Sequence, residues 1–113
     1  MKPIIVKNSI VPKLFSWFMK VGGVTIFPFI FVRGEGSDTL IRHESIHIKQ
    51  YAELYVIGFL PVYLWDFVWG LFKHRSFNKA YRGSRFEQEA YGNQGNENYL
   101  EERKPFAWKK YKV

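Results

Sequence analysis

His43-Glu44-Ser45-Ile46-His47 sets two histidines four residues apart, with a glutamate directly after the first. On a helix this spacing puts both imidazoles on one face, one turn apart. Two imidazoles so placed take two corners of a tetrahedral zinc, and Glu44, projecting beside them, reaches a water in an open corner. Helical histidine pairs also occur as ordinary surface or core pairs. The chain has only three histidines, at 43, 47 and 74, so a shuffled sequence of this composition yields the pattern in roughly one trial in three hundred, which favours the metal.

Ser37 or Asp38 caps the helix, which is predicted over residues 39–55. His43, His47, Gln50 or Tyr51, and Leu54 follow one stripe, while Ile41, Ile48, Ala52 and Tyr55 offer packing on the other side. Such a helix is expected to be buried on more than one face. Ahead of it Gly22-Gly23 breaks the chain, and VTIFPFIFV (24–32) reads as a strand ended by Arg33-Gly34-Glu35-Gly36. Pro28 cannot donate to a ladder, so this strand is expected at a sheet edge or at a bulge. An edge strand just before a metal helix can pair with an extended peptide; a strand that merely covers the core fits equally well. Residues 3–11 read as one short strand or two, closed by Pro12, and residues 13–20 as a helical turn or irregular structure.

After the metal helix, YVIGFLPVYLWDFVWGLF (55–72) is apolar except for Asp66. About 20 such residues span a bilayer. Gly58, Pro61, Asp66 and Gly70 argue against a plain span. A straight helix over these residues would rise roughly 27 Å and carry any later metal ligand to the side opposite His43 and His47. The expectation is a kinked core helix with an aromatic outer face at a membrane interface and Lys73 and Arg75 behind it.

NKAYRG (78–83) reads as a polar connector into a second helix, where Ser84-Arg85-Phe86-Glu87 forms a capping box and starts the helix at Arg85. Glu87 and Glu89 compete for the third ligand position. Glu87 stands at the capping position, where its carboxylate folds back to the Ser84 amide, so Glu89 is favoured. Ala90 and Gly92 permit close helix approach, and Asn93, four residues after Glu89, can orient a ligand. The helix is expected to weaken at Gly95 and Asn96 and to end before Pro105, leaving residues 103–113 as a basic aromatic tail.

The 113 residues make one domain, and 47% hydrophobic with 19% aromatic residues excludes a disordered chain. The absence of cysteine excludes disulfides and thiolate ligands, so any metal must use His, Asp or Glu. A net charge of +7 favours anionic partners. A peptide or protein substrate and an anionic membrane surface are the expected partners, with nucleic acid disfavoured. No signal peptide stands out among Lys2, Lys7, Lys13 and Lys20, so a cytoplasmic or peripheral membrane location is expected. No phosphate-binding glycine loop and no serine or cysteine nucleophile constellation is evident.

His43-Glu44-x-x-His47 followed by Glu89-Ala90-x-x-Asn93 resembles the gluzincin arrangement of HExxH zinc metallopeptidases, in which a second helix gives a glutamate ligand and an acid or amide sits four residues on. The wider pattern, TIFPFIFVR, R-H-E-x-x-H-x-x-Q, a long aromatic segment and AYR-x-x-x-FE-x-EAY-x-N, is similar to small zincin-like proteins of bacteria and their phages over most of residues 22–95. The resemblance implies zinc (Zn2+) as cofactor, His43, His47 and Glu89 as ligands, and Glu44 as general base. Asn93 departs from the commoner aspartate, and no second-domain elements are evident to deepen a cleft.

The expected fold is α+β, a minimal zincin-like domain with a small sheet, the HExxH helix, a long apolar helix and a glutamate-ligand helix. The expected function is that of a zinc-dependent metallopeptidase or peptidase-like hydrolase. Glu44 would take a proton from water in the fourth zinc position and pass it to the leaving amine. Tyr81, Arg82, Tyr91 and His74 are the candidate oxyanion donors. The alternative is a non-catalytic, zinc-stabilised binding module that holds lipid or nucleic acid on its basic aromatic surface.

Overall fold

Alternating Ile, Val and Phe side chains build a three-stranded sheet in the computed structural model, which describes residues 3–15 and 22–113. The strands are β1 (Ile4–Val6), β2 (Gly23–Ile26) and β3 (Phe29–Val32), in the order β1-β3-β2. β1 runs parallel to β3, pairing Ile4 with Phe29, and β2 runs antiparallel, pairing Gly23 with Val32. The single strand expected over 24–32 is therefore a hairpin. Its turn holds a cis Phe27-Pro28 bond, where a residue without an N–H interrupts no ladder. β3 is central and β2 is an edge strand, as is β1. Ile30 and Val32 point inward and are fully buried, and they pack with Ile48 of the helix that carries His43 and His47.

A short helix, α1 (Val11–Phe15), takes in Val11, expected to end an N-terminal strand, and gives 13–15 the helical form of the two expected there. The remainder of the predicted turn or irregular segment, 16–20, lies outside the described residues.

Gly34 and Gly36, at φ of 57° and 75°, form the turn into α2 (Asp38–Glu53), a conformation that residues with a Cβ rarely adopt. Ser37 is the cap, its Oγ accepting from Leu40 N at 3.0 Å. The helix stops short of the predicted 55, because Tyr55 and Val56 turn left-handed (φ 54° and 65°) and send the chain back. Tyr55 and Ala52 consequently face solvent, against the packing expected of them.

The apolar stretch forms α3 only from Phe59 to His74. Pro61 falls in its first turn, where an N–H has no helical partner, so it ends no hydrogen-bond ladder. Among the described residues no helix is long and apolar enough to cross a membrane. The inward face of α3 carries Phe59, Asp66 and Gly70. Gly70 lies so close to Ala80 that an added Cβ would come within 2.9 Å of its Cα, which clamps α3 against α4 (Phe77–Gly83). α4 occupies the predicted polar connector, capped by Ser76 through Lys79 N. The Asp66 carboxylate accepts from Arg85 N, Nε and Nη2 at 2.8–3.0 Å, pinning α3 to the start of α5 (Arg85–Asn93).

α5 begins where the capping box predicts and ends at Asn93; a separate short α6 (Tyr99–Glu102) follows. Residues 103–113 pack aromatic side chains onto the domain. A 3₁₀ turn at Ala107–Lys110 buries Trp108 edge-on against Phe86, in a stack of Tyr51, Phe59 and Phe86 with ring centroids 3.8 and 4.5 Å apart. Each such buried aromatic contributes about 1.5–3 kcal/mol. Arg103 spans two acids, donating to Glu53 and Glu89. The molecule is a small α+β domain with six α-helices and a three-stranded sheet among the described residues.

Candidate metal centre

α2 and α5 pack against each other and bring the two motifs together. His43 and His47 lie on the buried face of α2 with ring centroids 5.0 Å apart. Their Nε2 atoms converge on one oxygen, Glu87 Oε1, at 2.9 and 3.1 Å. The other oxygen, Glu87 Oε2, accepts from Tyr63 Oη at 2.8 Å. A tetrahedral site with metal–ligand bonds of about 2.0–2.1 Å sets neighbouring donors about 3.3 Å apart, so each imidazole Nε2 is within a few tenths of an ångström of that separation from Glu87 Oε1. His43, Glu44 and His47 also offer ligand atoms within 4.8 Å of one another and can hold a metal ion.

Glu87, and not the favoured Glu89, meets the imidazoles. The capping box forms only in one direction: Ser84 Oγ accepts from Glu87 N at 3.2 Å, while Ser84 N donates to Tyr81 O. The Glu87 carboxylate is thereby free to enter the site. Glu89, two residues on and roughly on the other side of α5, is fully buried behind it. Its oxygens accept from Gln50 Nε2, Tyr99 Oη and Arg103. Asn93 does not reach a candidate ligand; its Nδ2 donates to Glu89 O and Tyr111 Oη.

Two glutamines do the orienting expected of Asn93. His47 Nδ1 donates to Gln50 Oε1 at 2.7 Å. Gln50 Nε2 spends both hydrogens on Phe86 O and Glu89 Oε1, which fixes its amide and leaves Oε1 as an acceptor only. His47 therefore donates through Nδ1 to Gln50 and turns Nε2 to the site. His43 Nδ1 lies 2.7 Å from Gln94 Oε1. Gln50 is three residues after His47, a spacing at which side chains meet on a helix; Gln94, beyond the end of α5, carries no such signal.

Glu44 stands beside the trio, its Oε2 3.7 Å from His43 Nε2. Thr25 Oγ1, on the edge strand β2, lies 3.2 Å from both Glu44 Oε1 and Glu44 O. Gly23 leaves room for the Glu44 side chain, since a Cβ there would lie 3.1 Å from Glu44 Cγ. Burial pushes the Glu44 carboxyl above its ordinary value against the pull of both imidazoles. Burial acts the same way on Glu87, but His47 and His43 outweigh it and hold that carboxyl well below the usual range. Burial lowers His47, and the Glu87 carboxylate more than reverses this, raising it to about 9. Two neighbouring carboxyls are thus driven apart, one a fixed anion and the other able to carry a proton.

An apolar cleft of about 340 Å³ opens onto Glu44, His47 and Glu87, walled by Val24, Ile26, Phe59, Leu60 and Tyr63. A second opening reaches His43 and Glu44 from the side of Thr39 and Tyr91. Of the four candidate donors, Tyr81 lines both openings, with its hydroxyl 3.1 Å from that of Tyr91. Tyr91 stacks edge-on against His43, and the Arg82 guanidinium covers the far Tyr91 ring at 4.1 Å. His74 is exposed at the end of α3, with Nε2 nearest Gly83, and lines neither opening.

Compared with known protein families, curated proteins and solved structures, the chain matches none.

Proposed function

We propose that the chain is a zinc-dependent hydrolase of peptide bonds, a minimal zincin-like domain with His43, His47 and Glu87 as ligands and Glu44 as the proton acceptor. The observation that carries this reading is the convergence of both imidazole Nε2 atoms on Glu87 Oε1, beside Glu44 and at the floor of an apolar cleft. The donor set of two imidazoles and a carboxylate with an open approach suits a catalytic zinc better than a closed structural one. Zinc bound there would act as a Lewis acid and bring the pKa of water toward neutrality.

The chain's own residues supply the rest. Tyr63 holds Glu87 Oε2, which keeps Oε1 aimed at the imidazoles. Thr25 holds Glu44 Oε1, leaving Oε2 to accept a proton from water and to release it to a leaving amine. Burial, which raises the Glu44 carboxyl, makes it a better proton acceptor than an ordinary carboxylate. Tyr81, at both openings, is the hydroxyl best positioned to donate to a developing oxyanion. β2, one of the two outer strands of the sheet, borders the cleft through Val24 and Ile26. An extended peptide added along that edge would pass directly over Glu44.

Peptide cleavage by zinc-loaded protein, compared with Glu44→Gln at matched zinc content, tests the proposal. The variant is expected to keep its zinc and lose about 10²–10⁴ in turnover. Equal turnover in both, or zinc binding with no turnover in either, contradicts it, and the latter would favour a zinc-stabilised binding module.

A further inference from the structure

α3 has two unlike faces. Its inward face holds Phe59, Asp66 and Gly70, whereas Leu60, Leu64, Trp65, Val68, Trp69 and Phe72 run along the outside at helical spacing. Trp65 is 70% exposed and Phe72 78%, so the stripe remains open to solvent over roughly 18 Å of helix. An apolar patch of this extent on a folded domain marks a contact surface.

The charges around the stripe indicate what it contacts. Asp66, the acidic residue of α3, is turned inward and neutralised by Arg85. Lys73 and Arg75 are exposed at the C-terminal end of the helix. Lys73 Nζ donates to Val113 O at 3.3 Å, and Lys112 borders the same surface groove as Trp65 and Trp69. The stripe therefore has a cationic rim, in a chain of net charge +7. Apolar side chains, two tryptophans at the boundary and long cationic stems beside them match a bilayer surface, with hydrocarbon below and anionic headgroups above. A second copy would bring the same cations and no exposed carboxylate from this helix to meet them.

We infer that α3 seats the chain on an anionic membrane surface, lying in the plane of the interface with Leu64, Val68 and Phe72 toward the acyl chains and Trp65 and Trp69 at their boundary with the headgroups. Leu60 belongs both to this stripe and to the wall of the metal cleft, so seating α3 brings the cleft mouth to headgroup level.

Flotation of the full chain with vesicles of phosphatidylcholine alone, and of phosphatidylcholine mixed with phosphatidylglycerol, tests this, with tryptophan emission followed in parallel. The chain is expected to float with the anionic vesicles and its emission to shift to the blue. Trp65→Gln with Trp69→Gln is expected to reduce binding about tenfold or more, and Lys73→Glu with Lys112→Glu to remove the preference for anionic lipid. Both pairs are on the surface, and an unchanged circular dichroism melt certifies their fold. No flotation at low salt, undiminished flotation of the tryptophan pair, or a wild-type dimer abolished by that pair would overturn the inference. Flotation requires neither zinc nor turnover, so its outcome is independent of the hydrolase reading.

Discussion

Glu87 Oε1 lies 2.9 Å from His43 Nε2, across a sequence separation of 44 residues. Ser84 makes the contact possible by capping α5 through its own Oγ without drawing the Glu87 carboxylate back onto its amide. The two acids of α5 then divide their work. Glu87 faces the histidines, and Glu89 anchors Gln50 and Arg103 from behind.

Gln50→Leu and Gln94→Leu each remove the acceptor for one histidine Nδ1–H. Each is expected to weaken zinc binding about 10–100-fold while leaving the three ligands in place. Competition against a chromogenic chelator measures this, and unchanged affinity in both variants would mean that packing alone orients the rings.

The metal-free protein carries a pH signature. His47, raised to about 9, contributes stability that is complete below its ordinary 6.5 and is lost as pH rises through about 9. Glu87, held low, contributes stability above its ordinary 4.5 that is lost as pH falls through its lowered value. The raised Glu44 carboxyl adds a cost as pH climbs above 4.5. The melting temperature of metal-free protein should therefore peak at mildly acidic pH and fall toward pH 9. Zinc must displace the His47 proton, so its affinity should rise over the same interval, with proton release visible in calorimetry in buffers of different ionisation enthalpy. A melting temperature that is flat between 6.5 and 9 would count against the coupling of His47 and Glu87.

Gly70→Leu forces a side chain into the Ala80 backbone. A loss of about 1–3 kcal/mol in urea unfolding is expected from overpacking at this crossing. Gly95→Ala, where an added Cβ meets nothing within 4 Å, is the control.

Glu89→Gln keeps the size of the residue but turns an NH2 toward donors that both carboxylate oxygens now accept from, and among the described residues it leaves Arg103 with Glu53 as its anionic partner. It should cost about 1.5–3 kcal/mol, the worth of hydrogen bonds to a charged group, without removing a metal donor. Urea unfolding of the metal-free protein reads the first, and zinc content the second.

The helical histidine pair, the Ser84 start of α5 and the α+β class were legible because each rests on local spacing and capping chemistry. What was not legible depends on partners far along the chain. The capping-box pattern predicts a carboxylate folded back on Ser84, and only the approach of α2 shows it turned toward His43 and His47. Gln94 leaves the helix before it reaches His43, so no periodicity points to it. Pro28 reads as an edge or a bulge within one strand, and the pairing of Ile26 with Phe29 makes it part of a turn instead. Trp108 reads as tail until Phe86 provides a surface to bury it.

Zinc per chain, by elemental analysis of untagged wild type, Glu87→Ala and Glu89→Gln with their folds checked by circular dichroism, tests the ligand assignment most directly. One zinc in the wild type, lost with Glu87→Ala and kept with Glu89→Gln, is the predicted result. Zinc kept by a folded Glu87→Ala, lost from a folded Glu89→Gln, or missing from reconstituted wild type would contradict it.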